Sequence, residues 1–286
     1  MRRVVVGGFV ALAIGLQTAR AEPLAIVAAE NFYGDVARQI GDGDVAVVSI
    51  LTNPDQDPHM FEANAKTARA LADASLVILN GAGYDPWAAK LLSASAAPAR
   101  EIVTVAALVH KKPGDNPHLW YMPQAMAVLA DTLAARLARL DPAHRAGYAD
   151  RLAQFRASLR PLLDKIAAMR RRYAGVAVTA TEPVFGYMAE ALGLVMRNRG
   201  FQLAVMNGTE PGAAAIAAFE SDLRSHRVKV LIYDDQTRGG LALRMREIAE
   251  GAGVPVVGVS ETEPRGKDYQ AWMISQLEAL DRALAR

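Results

Sequence analysis

The chain has 286 residues, 52% of them hydrophobic and 22% charged, with no cysteine. That length allows one large or two medium domains, and the missing cysteine excludes a disulfide framework, an iron–sulfur cluster and any thiolate metal site. A net charge of +2, with no Lys/Arg cluster to track phosphates, argues against nucleic-acid binding.

The first 21 residues read as a leader. Arg2 and Arg3 precede the apolar run Val4–Leu16, and Ala19-Arg20-Ala21 is an A-x-A cleavage signal. The apolar run is short for a membrane span. Residues 1–21 carry three arginines and no acid, so the remainder has a net charge of −1 instead of +2. A cleavable signal peptide implies export, with a bacterial periplasm as the destination.

Beyond the leader, short β-branched runs alternate with helix-like stretches. In the first half the runs are Leu24–Ala29, Val45–Leu51, Leu76–Asn80 and Glu101–Val105. In the second half they are Val176–Ala180, a weaker Val195–Arg197, Val228–Tyr233 and Val254–Val259. Helical patterning covers Tyr33–Ile40, Ala63–Ala74 and Pro211–Ser225. The alternation predicts an α/β fold with two parallel-sheet lobes. Between the groups, residues 124–172 carry no strand pattern, and Pro142–Arg172 is rich in good helix formers. Asp141 can cap a helix there with Pro142 at its first position. About 30 helical residues would span roughly 45 Å, the length of both lobes. Pro161 removes one backbone donor and can kink that helix. The expected division is leader 1–21, first lobe 22–140, connecting helix 141–173 and second lobe 174–286. No Gly/Ser-rich linker interrupts it, which implies a stiff connection.

The chain holds five histidines, and two share a local setting. His59 lies in Asn53-Pro54-Asp55-Gln56-Asp57-Pro58-His59, directly after a strand. His118 lies in Asp115-Asn116-Pro117-His118-Leu119-Trp120, before a helical stretch. Each imidazole is presented from a proline-stiffened turn, and imidazole is the commonest neutral metal ligand. His110, His144 and His226 sit in solvated settings. The two boxes point to a bound divalent transition metal.

The Asp57-Pro58-His59-x-Phe61-Glu62 stretch, the Asn116-Pro117-His118-x-Trp120 box and the long mid-chain helix resemble the metal-binding substrate-binding proteins, cluster A-I, of bacterial ABC importers for zinc and manganese. The resemblance covers essentially the whole mature chain. It implies two α/β lobes joined by one long helix, with a metal site in the interlobe cleft. It also implies a third ligand after the first strand of the second lobe, here Glu182 in Thr179-Ala180-Thr181-Glu182-Pro183. A fourth would be an acid after the last strand, where Glu261 matches best. Glu263, Asp234 and Asp235 stay open as alternatives. Relatives carry an acid after the Trp of the second box, where this chain has Tyr121-Met122-Pro123, so His118 is expected to lack a carboxylate that orients it.

The resemblance implies a non-enzymatic, monomeric protein that captures Zn2+, with Mn2+ as the alternative, for an importer permease and its ATPase. Two other classes compete. A zinc hydrolase would use three ligands plus water, with Glu263 or Asp235 as base. An organic-solute binder would use His59 and His118 only as hydrogen-bonding groups.

Overall fold

A computed structural model describes residues 22–95, 97–237 and 239–286. The leader expected over 1–21 lies outside the described residues. The β-branched runs form eight strands in two four-stranded sheets. The first sheet is built from Leu24–Glu30 (β1), Val45–Leu51 (β2), Leu76–Leu79 (β3) and Glu101–Thr104 (β4), in the order β2-β1-β3-β4. The second takes Ala177–Ala180 (β5), Val195–Met196 (β6), Leu231–Asp234 (β7) and Val256–Val259 (β8), in the matching order β6-β5-β7-β8. All pairings are parallel, so helical crossovers cover both faces of each sheet. The weakest run becomes the two-residue edge strand β6.

The two lobes share one apolar core. The cluster runs from Ile26, Phe32 and Tyr33 of the first lobe through Trp120 and Tyr121 to Phe185, Trp272 and Leu277 of the second. Helices Asn31–Gly41, Ala125–Leu140 and Tyr269–Leu284 line it. Each sheet packs its other face on a smaller core of its own. At the junction Tyr121 meets Phe185 edge-on at 5.1 Å, and the Tyr269 hydroxyl donates to Trp120 O at 2.8 Å. Burying large side chains of this kind contributes about 2–3 kcal/mol each, so the junction resists a wide hinge motion.

The connecting helix departs from the single-helix expectation in two ways. It runs as Arg145–Ser158 and Arg160–Tyr173, which meet at Leu159. Pro161 has no N–H to give Ala157 O, and the ladder is redirected there while Leu159 N→Phe155 O and Leu163 N→Leu159 O persist on either side. At its start, Pro142–His144 is a 3-10 turn, and Asp141 makes no side-chain cap. Its carboxylate instead accepts from His144 Nδ1 at 2.5 Å and from the Tyr148 hydroxyl at 2.8 Å. The first segment packs on the first-lobe helices and the second on the C-terminal helix.

Candidate metal centre

The carboxyl ends of both sheets face the cleft between the lobes, where open parallel sheets place their ligands. His59 follows β2 in the 3-10 turn Pro58–Met60, and Asp57 fixes that turn by accepting from His59 N at 2.8 Å. His118 ends the loop that leads into the turn Leu119–Tyr121. Glu182 lies two residues beyond β5, and Glu261 two beyond β8. One donor atom from each of these four residues lies within 4.8 Å of all the others. Glu261 Oε2 is 3.1 Å from His118 Nε2 and 3.6 Å from His59 Nε2, and His59 Nε2 is 3.8 Å from Glu182 Oε1. The four residues picked from sequence therefore converge on one point, two from each lobe.

The state of His118 can be read from its partners. Asn116 Nδ2 donates to Pro183 O at 2.7 Å, which turns Asn116 Oδ1 toward the histidine. That oxygen accepts from His118 N at 3.1 Å and from the ring Nδ1 at 2.6 Å. Nδ1 thus carries the proton, and Nε2 presents a lone pair to the cleft. The His118 side chain is fully buried, and Nε2 has no hydrogen-bond partner among the described residues despite its 3.1 Å approach to Glu261 Oε2. Two acceptors facing each other in a dry site are repulsive until a cation lies between them. The donor set and its orphaned nitrogen suit a metal ion.

The group on His118 Nδ1 is thus an amide and not a carboxylate, as Tyr121-Met122-Pro123 leads one to expect, yet the ring is not left unsupported. Asn116, inside the histidine box itself, does the orienting. Its position two residues before the histidine was visible in the sequence, but its reach back to the ring was not. The approach is tight, since a Cβ on Gly186 would lie 2.8 Å from Asn116 Nδ2.

Comparisons with known proteins bear on the fold and the family. A family model described as "zinc-uptake complex component A periplasmic" (ZnuA) matches residues 26–283. The chain belongs to the ZnuA family. A putative metal-binding protein of Treponema pallidum is 24% identical over 97% of this chain and 94% of its own length. The zinc-binding lipoprotein AdcA of Streptococcus pneumoniae is 21% identical over 83% of the chain, which spans only 51% of that relative. The solved structure of FpvC from Pseudomonas aeruginosa, in complex with Mn2+, shares the fold with a TM-score of 0.75. It is 20% identical, and the match covers 92% of this chain and 99% of that one. FpvC thus shares the two-lobe fold, and no helix among the described residues is long and apolar enough to cross a membrane.

In this ZnuA-family chain the electrostatics of the four-residue cluster follow from burial and from the charges that face one another. Burial alone would raise Glu261, yet its carboxyl is held far below the usual range, and the His59 imidazole 3.6 Å away is one cause. Burial would lower His59, yet the attraction of Glu261, with Glu182 and Asp57, lifts it to about 9. Burial, then repulsion from Glu261 and Asp234, pushes Glu182 up to about 8. The Tyr84 hydroxyl donates to Glu261 Oε2 at 3.0 Å, a supporting contact that sequence reasoning missed.

The alternative acids lie outside the cluster. Asp234 is buried and accepts from Gln236 N at 3.1 Å and from Thr237 Oγ1 at 2.6 Å. The same hydroxyl lies 3.2 Å from Glu182 Oε2, so Asp234 braces the ligand side from behind. Asp235 lies over Gly258, where a Cβ would meet its Oδ2 at 2.2 Å. Glu263 turns to the far side, where its backbone pairs with Asn31 and its carboxyl lies near Asp35, because the chain bends at Glu261 and Thr262; an extended strand would have put both glutamates on one face. Of the remaining histidines, His144 pairs with Asp141 and Asp44 away from the cleft.

Proposed function

We propose that His59, His118, Glu182 and Glu261 hold a divalent transition-metal ion as cargo, with zinc favoured over manganese. The protein would present it, outside the cytoplasm, to the permease and ATPase of an ABC importer. The observation that carries this reading is the convergence of four donor atoms within 4.8 Å. Zinc bonds of about 2.0–2.1 Å place tetrahedral ligands roughly 3.3–3.5 Å apart, and the contacts of 3.1, 3.6 and 3.8 Å need only small adjustment. Two imidazoles and two carboxylates neutralise the ion and lower the cost of burying it. Two nitrogens and a four-atom set favour zinc, and zinc outcompetes manganese at most such sites. Manganese remains the second reading because FpvC, a structural neighbour, is described with Mn2+.

Transport rather than catalysis follows from the ligand count. Four protein ligands close a tetrahedral shell, whereas a zinc hydrolase keeps a position for water. Glu263, one of the bases such an enzyme would use, faces away from the site. The reading carries with it the leader at 1–21, periplasmic release as a monomer, and the division into 22–140, 141–173 and 174–286. Calorimetric titration of chelator-stripped protein with zinc and then manganese tests it, alongside His59→Ala, His118→Ala, Glu182→Ala and Glu261→Ala. Tight zinc binding weakened by each substitution supports the reading. Affinity unchanged in both histidine variants overturns it.

A further inference from the structure

Gln236, in the turn after β7, is buried beside the metal centre and has every polar atom of its side chain engaged. Its Oε1 accepts from the backbone N–H of Glu261 at 2.5 Å. That donor fixes the amide's orientation, so Nε2 must face the other way. There it donates to Gln56 O at 2.7 Å, across the cleft in the first lobe, and lies 3.2 Å from Thr262 Oγ1. One side chain of the second lobe thus grips two ligand-bearing segments, the backbone of Glu261 and the loop that carries His59.

The His59 loop needs such a grip. His59 is the most exposed of the four ligands, with 34% of its side chain accessible against 0% for His118, 6% for Glu182 and 1% for Glu261. Residues 52–60 are largely exposed, and the turn bonds Gln56 N→Asn53 O and Asp55 N→Asn53 Oδ1 are internal to the loop. Of the four ligands His59 is thus the one that meets solvent, and the Gln236–Gln56 bond ties its loop to the second lobe.

Resting on the metal-binding reading above, we propose that Gln236 is a positioning residue that latches the His59 loop over the ion and sets how fast the ion leaves. It touches no metal. It acts by holding Gln56 O, three residues from His59, against the second lobe. Losing the latch raises the dissociation rate and leaves the ligand set intact.

The test is zinc release from wild-type, Gln236→Glu, Gln236→Met and Asn31→Ala proteins into excess chelator by stopped flow. Gln236→Glu keeps an acceptor for Glu261 N–H and places an oxygen against Gln56 O; Gln236→Met removes both bonds at similar volume. Asn31 makes a pair of bonds between the lobes away from the site, with Glu263 O at 2.8 Å and Glu263 N at 3.1 Å, so Asn31→Ala controls for general loosening. The expected result is release about 10-fold or more faster in both Gln236 variants, within the range for residues that support metal ligands, and Asn31→Ala like wild type. The cobalt(II) spectrum of each variant should keep its wild-type four-coordinate form, a readout that a collapsed site would lose. Wild-type release rates in the Gln236 variants, or equal acceleration in Asn31→Ala, overturn the latch. A wild-type protein that binds no zinc overturns the metal reading instead.

Discussion

The two histidine loops are nearly the same in sequence and unlike in structure. In Asp57-Pro58-His59 and Asn116-Pro117-His118 the first residue accepts from the backbone N–H of the histidine, at 2.8 and 3.1 Å. There the likeness stops. Asn116 also takes the ring Nδ1 proton, and three further bonds pin the loop: Asn80 Nδ2→Pro117 O (2.9 Å), Tyr187 OH→Asn116 O (2.7 Å) and Asn116 Nδ2→Pro183 O (2.7 Å). His59 sits in an exposed loop joined to the second lobe through Gln236. One local motif therefore yields a prebuilt, dry half-site and an adjustable, wet one. Its surroundings decide which.

If that contrast is right, His118→Ala has the largest effect. It removes a preorganised ligand from a site water cannot easily refill, and zinc affinity should fall by more than about 100-fold, beyond the usual cost of losing a supporting residue. His59→Ala should cost less, because solvent reaches its position and a water can take the open coordination site. Calorimetry on both variants checks the ranking, and equal losses would erase the distinction between the halves.

Asn116→Ala should come next, with zinc affinity lowered about 10- to 100-fold. Nitrogen-15 shifts of the imidazoles in the ion-free protein should show a fixed Nδ1–H tautomer at His118 in wild type and a mixture in the variant. An unchanged tautomer would break the link between Asn116 and the buried half-site.

Affinity should also fall on acidification. In the ion-free site His59 is raised to about 9 and Glu182 to about 8, so both hold protons at pH 7 that a bound metal must expel. Metal binding should therefore release protons at neutral pH and tighten as pH rises toward those values. Binding heats measured in buffers of different ionisation enthalpy report this directly; heats independent of buffer would contradict it.

The smallest effect tests the acid that turns away. Glu263 is buried with Oε2 unpartnered, and burial with Asp35 nearby raises it to about 9. For an acid raised on folding, the ionised form is disfavoured, so the cost is absent below about pH 4.5 and grows as pH rises toward 9. Glu263→Gln should then stabilise the protein at pH 7.5 by about 1–3 kcal/mol, and by much less at pH 5. Thermal melts at the two pH values give the answer, and zinc affinity should not move.

Much of this was legible from sequence because its signals are local. Alternating β-branched runs fixed the parallel sheets, whereas only the bend at Glu261 and Thr262 separates Glu261 from Glu263. The turn prolines marked both histidines. What stayed hidden depends on chain segments far apart. Gln236 meets Gln56, Tyr84 meets Glu261, and Asn116 meets Pro183 only once the lobes are closed on each other. At Met122 the expected lack of an orienting carboxylate held, but the amide support that Asn116 gives His118 from two residues away was not foreseen. Pro161 was read correctly as a lost donor, and the two helical segments meeting at Leu159 are its outcome.

The most direct test is a crystal structure of the zinc-loaded protein with data at the zinc absorption edge. The predicted result is one zinc bound by His59 Nε2, His118 Nε2 and one oxygen each of Glu182 and Glu261, at about 2.0–2.2 Å, with His118 Nδ1 still on Asn116. Zinc held elsewhere, or a shell that leaves out His118 or replaces a glutamate with Asp234, would contradict it.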